Sequence, residues 1–232
     1  MDTRSRRSGC PRRPRRPEVR KPIGARVLRI VAAVGIALVV SGCSVIPATR
    51  FLEAYAEPNP DPQHLRLCHG YACRFVTPVA LSSEEWRAIS ARFEPPAESA
   101  AAERQRIGLA VAQLTLSAGR HAGLAVRQRR DLINAKDPSQ LDCVDETVNT
   151  TTYLTLLSRA GLLRWHTVGA PAHRGTLATL DVANTPVLVE NGTGKGFAVD
   201  TAFADPGLPP YIVPIETWLA AVIPEYRQNA AL

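Results

Sequence analysis

Leu141-Asp142-Cys143-Val144-Asp145-Glu146 sets a cysteine at the start of a helix, and the segments downstream of it decide the fold. Asp142 reads as the cap. Val144, Val148, Tyr153, Leu154, Leu156 and Leu157 supply an apolar face that runs to Arg159, with Gly161 as the stop. Beyond the helix, Leu162 to Val168 reads as a strand and Pro171 to Gly175 as a loop. Thr176 to Leu180 and Val182 to Glu190 read as extended segments. Asn191-Gly192-Thr193-Gly194-Lys195-Gly196 has the composition of a hairpin turn, with Phe197-Ala198-Val199-Asp200 as the return strand. Pro209-Pro210 precedes a last strand and a short helix from Ile215 to Val222. Helices followed by an antiparallel sheet predict an α+β domain.

Upstream, Ser82-Ser83-Glu84-Glu85-Trp86 carries a capping box, with Trp86, Ile89 and Phe93 on one face and Pro95-Pro96 as the stop. A second helix is expected from about Ser99 to Ser117, with Ile107, Ala110, Val111, Leu114 and Leu116 inward and Gly119 and Gly123 at its end. Residues 119–141 are polar and basic without periodicity, and read as a long loop over the site. Arg74-Phe75-Val76-Thr77-Pro78-Val79 alternates like a strand.

The first 42 residues read as a signal peptide. A basic leader is followed by the apolar run Ile30 to Val40, too short to span a membrane comfortably, and by Ser41-Gly42-Cys43. The ending resembles a bacterial lipobox, which implies cleavage before Cys43 and a diacylglycerol on its sulfur. Ser44 after it, in place of an aspartate, implies the outer membrane, facing the periplasm. The membrane is thus the expected partner, through the lipid. Residues 43–62, rich in proline, alanine and small polar residues, read as a flexible tether, leaving 63–232 as one domain.

The net charge of +7 belongs to the leader. Residues 1–29 hold 11 of the 28 Lys and Arg and 2 of the 21 Asp and Glu, so 17 basic and 19 acidic residues remain after cleavage. A near-neutral domain argues against a nucleic-acid partner.

Of the five cysteines, Cys10 lies in the leader and Cys43 takes the lipid. Cys68 and Cys73, close in sequence in an exported chain, are expected to form a disulfide. The alternative, zinc with His69, lacks a Cys-x-x-Cys spacing and a second cysteine pair. No metal and no cofactor is expected; Asp142, Asp145 and Glu146 lack the regular spacing of a calcium loop. Cys143 is then the thiol left outside a disulfide. A thiolate in the first turn of a helix is favoured by the dipole and the free N–H groups there. A base on a neighbouring strand, held by a carboxylate, would complete a nucleophile.

The order of Asp142-Cys143-Val144-Asp145-Glu146, hairpin, and Ala198-Val199-Asp200-Thr201 resembles the transglutaminase-like cysteine peptidase superfamily, over roughly Asp142 to Phe203. The resemblance implies a papain-like core in which Cys143 is the nucleophile, Asp200 orients a base, and a histidine stands on the strand before Asp200. If the turn pairs Glu190 with Gly194 or Gly196, that position is Asn184, facing or diagonal to Asp200 on one side of the sheet. Asparagine cannot accept and hold a proton, so it cannot be the base. His173, on its loop, is the expected substitute, ahead of His166 on the preceding strand. The resemblance therefore implies thiol-dependent hydrolysis or transfer at an amide of an envelope peptide or protein. The alternative is a degenerate, non-catalytic relative that binds such a partner, and a third reading makes Cys143 a buried structural residue of a lipoprotein without either activity.

Overall fold

The computed structural model describes residues 48–124, 137–175, 182–202, 204–205 and 207–221. The expected signal peptide, Cys43, the extended segment Thr176 to Leu180 and the middle of the expected long loop lie outside the described residues.

The described chain is mixed α+β, with helices and antiparallel sheets. Helix α1 (Thr49–Tyr55) precedes a hairpin of β1 (Leu65–His69) and β2 (Phe75–Val79). Helix α2 (Ser83–Ser90) runs into a short 3-10 turn, Ala91–Phe93, and is followed by α3 (Ala100–His121) and α4 (Cys143–Arg159). A four-stranded sheet comes next, in the order β3 (His166–Arg174), β4 (Ala183–Glu190), β5 (Gly196–Asp200) and β6 (Tyr211–Pro214), closed by helix α5 (Ile215–Leu219).

Local chemistry sets the helix starts. The Ser82 hydroxyl accepts from the Glu85 N–H while the Glu85 carboxylate accepts from the Ser82 N–H, a reciprocal box that satisfies two orphan donors. Asp142 and Asp145 form the same box at the start of α4. Ile89, Phe93, Ile107, Ala110, Val111 and Leu114 are buried, so the predicted apolar faces of α2 and α3 are the ones that pack.

The sheet has two faces. Leu188, Phe197 and Val199 join the core made with α3, α4 and β1. Ala183 and Ala198 face the other way, onto Trp218 of α5. Helix α4 is buried almost all round, although its first half carries Asp145, Glu146, Thr147, Asn149 and Thr150. Such groups are tolerated inside only when hydrogen-bonded. Asn149 accepts from the Cys68 N–H at 2.7 Å and donates to the Cys68 carbonyl at 2.8 Å, acting as a one-residue strand partner for β1.

Several expectations are corrected. The tether is not wholly flexible chain, because Thr49–Tyr55 is helical and packs on α4. Helix α3 continues to His121, past Gly119, and Ser117 and Ala118 rather than Leu116 lie fully inside. Strand β3 begins at His166 and covers Pro171 to Arg174, where a loop was expected. An irregularity between Gly169 and Ala172 absorbs the proline without ending the pairing. The N–H groups of Arg164 and Trp165 bond to the Glu103 carboxylate, which is why the strand does not start at Leu162. Helix α5 ends at Leu219.

Candidate functional site: the buried thiol at the start of α4

The first turn of α4 is held by the loop between β1 and β2. A disulfide joins Cys68 to Cys73, with their Cα atoms 4.6 Å apart. Inside it, Gly70, Tyr71, Ala72 and Cys73 have φ of 80°, 71°, 53° and 54°. Four consecutive left-handed residues, three of them non-glycine, are costly alone and persist only where their surroundings over-determine them. The return is a concave row of N–H groups, as in an anion-binding nest. Tyr71 and Cys73 donate to the Asp145 carboxylate at 2.8 and 2.6 Å, and Ala72 donates to Asp142 at 3.1 Å. Burial pushes the Asp145 carboxyl up, against the N–H groups of Cys73, Asp142 and Tyr71, which favour its ionised form. Two of the three carboxylates that crowd Cys143 in sequence, Asp142 and Asp145, are therefore engaged in capping and in this loop.

The same contacts dispose of a metal. Cys68, Cys73 and Asp145 bring ligand-type atoms within 4.8 Å of one another. Both sulfurs are in the disulfide, however, and both carboxylate oxygens accept N–H bonds. His69 bonds through both ring nitrogens, to the Pro138 carbonyl and the Thr77 hydroxyl.

Cys143 is the first residue of α4 and is 1% exposed. Its sulfur meets Nδ2 of Asn184 at 3.8 Å. The amide orientation follows from its other end. The Ala48 N–H, which can only donate, lies 3.0 Å from the amide oxygen, so that atom is Oδ1. Nδ1 of His173 lies 3.1 Å from the same oxygen and must also donate. Asn184 thus stands between the thiol and the imidazole, offering a donor to sulfur and an acceptor to the ring.

His173 is placed by pairing rather than by a loop: it is the cross-strand partner of Asn184 in the β3–β4 ladder. His166 is remote from this contact, buried against Glu103 (2.9 Å) and Arg104 (3.1 Å), and serves the network at the other end of β3. Asp200 is not beside Asn184 on one face. The hairpin pairs Val187 with Ala198 and Val189 with Gly196, and the Glu190 N–H bonds to the Lys195 carbonyl. That register is one residue from either pairing expected for Glu190. A one-residue shift moves a side chain to the opposite face. Asp200 accordingly accepts from Trp218 Nε1 at 2.7 Å and from the Ala202 N–H at 3.0 Å. Asn184 and Asp200 share only the border of a narrow cleft with Glu146, Thr147 and Thr201.

Comparison with protein-family models, with curated proteins and with solved structures finds no match for this chain. The chemistry of the site has to be read from its own atoms. An amide N–H beside sulfur can steady negative charge but cannot take the thiol proton, and Nδ1 of His173 already donates to that amide.

Sequence reasoning missed Ala48 and Thr201. Ala48 carries no signal because its contribution is a backbone N–H. Thr201, directly after the strand end, bonds to Glu146 Oε2 and to Thr150, both at 3.3 Å. Two threonines and a glutamate facing one another across α4 and β5 become visible only once the pairing is known.

Proposed function

We propose that this chain is a lipid-anchored envelope protein whose domain is a non-catalytic relative of the transglutaminase-like cysteine peptidases and binds an envelope peptide or protein. The observation that carries this reading is Asn184. An amide, not an imidazole, lies against the Cys143 sulfur, and its oxygen is committed to Ala48 and His173. The element order supports the resemblance: a helix led by cysteine packs on an antiparallel sheet whose adjacent strands carry Asn184 and Asp200. A papain-like core belongs to the same proposal. Attachment through Cys43, with the domain facing the periplasm from the outer membrane, rests on the lipobox-like ending. Among the described residues no helix is long and apolar enough to cross a membrane.

The test measures turnover and binding separately. Mature protein incubated with peptide amides, with and without an amine acceptor, is expected to give no hydrolysis or transfer. A peptide that it binds should be held equally well by Cys143→Ala. Amide turnover that disappears in Cys143→Ala would replace the binding reading with the hydrolase one.

A further inference from the structure

The segment that precedes the domain core reaches the thiol site through Asn184. Ala48 is 1% exposed, and its N–H is the one that fixes the Asn184 amide. Its carbonyl accepts from the Phe51 and Leu52 N–H groups and so starts α1. Phe51, Leu52, Tyr55 and Ala56 then lie on the Cys68–Cys73 disulfide and Val148. The attachment is slight in itself. Helix α1 has seven residues, none of them fully buried, and a helix of that length does not hold together without its tertiary contacts. By contrast Asn184, Cys68 and Val148 beneath it are all buried, as is Cys143 next to Asn184. A thin layer over a fully buried polar contact has the character of a locally opening unit.

We propose that residues 48–56 are a built-in, displaceable occupant of a peptide-binding groove. Its floor is Asn184, the first turns of α4 and the disulfide. The ligand it takes is a peptide segment that presents one backbone N–H to Asn184 Oδ1 and an aromatic–aliphatic pair to the Cys68–Cys73 face. The self-segment and the ligand compete for the same atoms, so the site is closed until a peptide or a pull on the N-terminal side displaces it. This inference rests on reading the domain as a binding module, and it supplies that module's ligand class and its regulation.

The test uses the full mature chain. Ala48 has φ −59°, the value a proline ring imposes, so Ala48→Pro deletes the N–H without changing the backbone angle. Leu52→Asp removes the apolar contact. Loss of one such hydrogen bond shifts a local opening equilibrium by about tenfold, so iodoacetamide should alkylate Cys143 about tenfold faster in either variant. A fluorescein-labelled peptide of sequence Ile46 to Pro58 should bind the variants, fail to bind the variants that also carry Asn184→Ala, and return alkylation to the wild-type rate. An unchanged alkylation rate, or an increase the peptide does not reverse, overturns the proposal. Should a variant lose its cooperative melt, hydrogen exchange of the wild type decides: amides of residues 51–56 exchanging well before those of α4 support it, and exchange only by global unfolding overturns it. If the uncovered thiol instead turned over amides, the binding reading would fall while the displaceable segment stood.

Discussion

Nδ1 of His173 lies 3.1 Å from Oδ1 of Asn184, and the proton between them belongs to the histidine. The ring is thereby an orienting donor to the amide, and the amide in turn faces the Cys143 sulfur. A triad would need the imidazole where the amide is.

Alkylation of native Cys143 should therefore be slow, and its pH profile should be the same in wild type and in His173→Ala. A step in the profile that vanishes with His173 would mean that the ring reaches the thiol.

Asn184→His on its own should not create a hydrolase. The register of β4 on β5 leaves the Asp200 carboxylate with Trp218 on the other face, so the new ring does not gain Asp200 to hold it. Cys143-dependent turnover in that single variant would contradict the register.

Among Cys68, Cys73 and Cys143, thiol mapping on the unfolded, non-reduced chain should find Cys143 reactive, with Cys68 and Cys73 silent. Replacing both disulfide cysteines by serine should cost about 2 kcal/mol from loop-closure entropy alone, measured by urea unfolding. Ala72→Gly should recover about 0.5–1 kcal/mol, because glycine accepts the left-handed conformation. A destabilised Ala72→Gly would mean that the loop is not strained.

Glu103 is 1% exposed and bonds to the N–H groups of Arg164 and Trp165 and to His166 Nδ1. Glu103→Ala should cost about 3–5 kcal/mol, since it strands three donors in the interior. Denaturant titration measures it, and a cost below about 1 kcal/mol, the worth of one ordinary hydrogen bond, would refute the network.

Acid should loosen α2 through Glu85. Burial opposes its charge, but bonds from His121, from the Ser82 N–H and hydroxyl and from Ser117 outweigh that, lowering its pKa from 4.5 to about 2. A carboxyl lowered on folding contributes stability above its unfolded value and loses it as pH falls toward the folded one. The stability gap between wild type and Glu85→Gln should hold at neutral pH and shrink from about pH 4.5 to about 2. A gap independent of pH in that window would mean that Glu85 acts only by shape.

What the sequence made legible is local. Ser82 with Glu85, Asp142 ahead of Cys143, and Asn191 to Gly196 each announce a cap or a turn within a few residues; the two caps stand as read, and the turn falls where expected with its register one residue off. What it hid is tertiary. Thr49–Tyr55 has a helix's length but no cap of its own, and is ordered by the disulfide it lies on. Strand β1 is too short to show a period, and part of its pairing comes from Asn149, 81 residues on. The face of Asp200 hung on a single residue of hairpin register, which turn composition does not specify.

The grip of Glu103 on the N–H groups of Arg164 and Trp165 has a practical side. It pins the chain just before β3: a residue added after Trp165 would slide His166 to Arg174 along β4 and carry His173 away from Asn184, whereas one added after Gly161 would be taken up ahead of the grip. At the other end of β4, Gly192-Thr193-Gly194 points into solvent, and the bond from Glu190 to Lys195 closes the ladder beneath it. An affinity handle grafted at Thr193 would leave the thiol site untouched, whereas a residue inserted after Trp165 would take it apart.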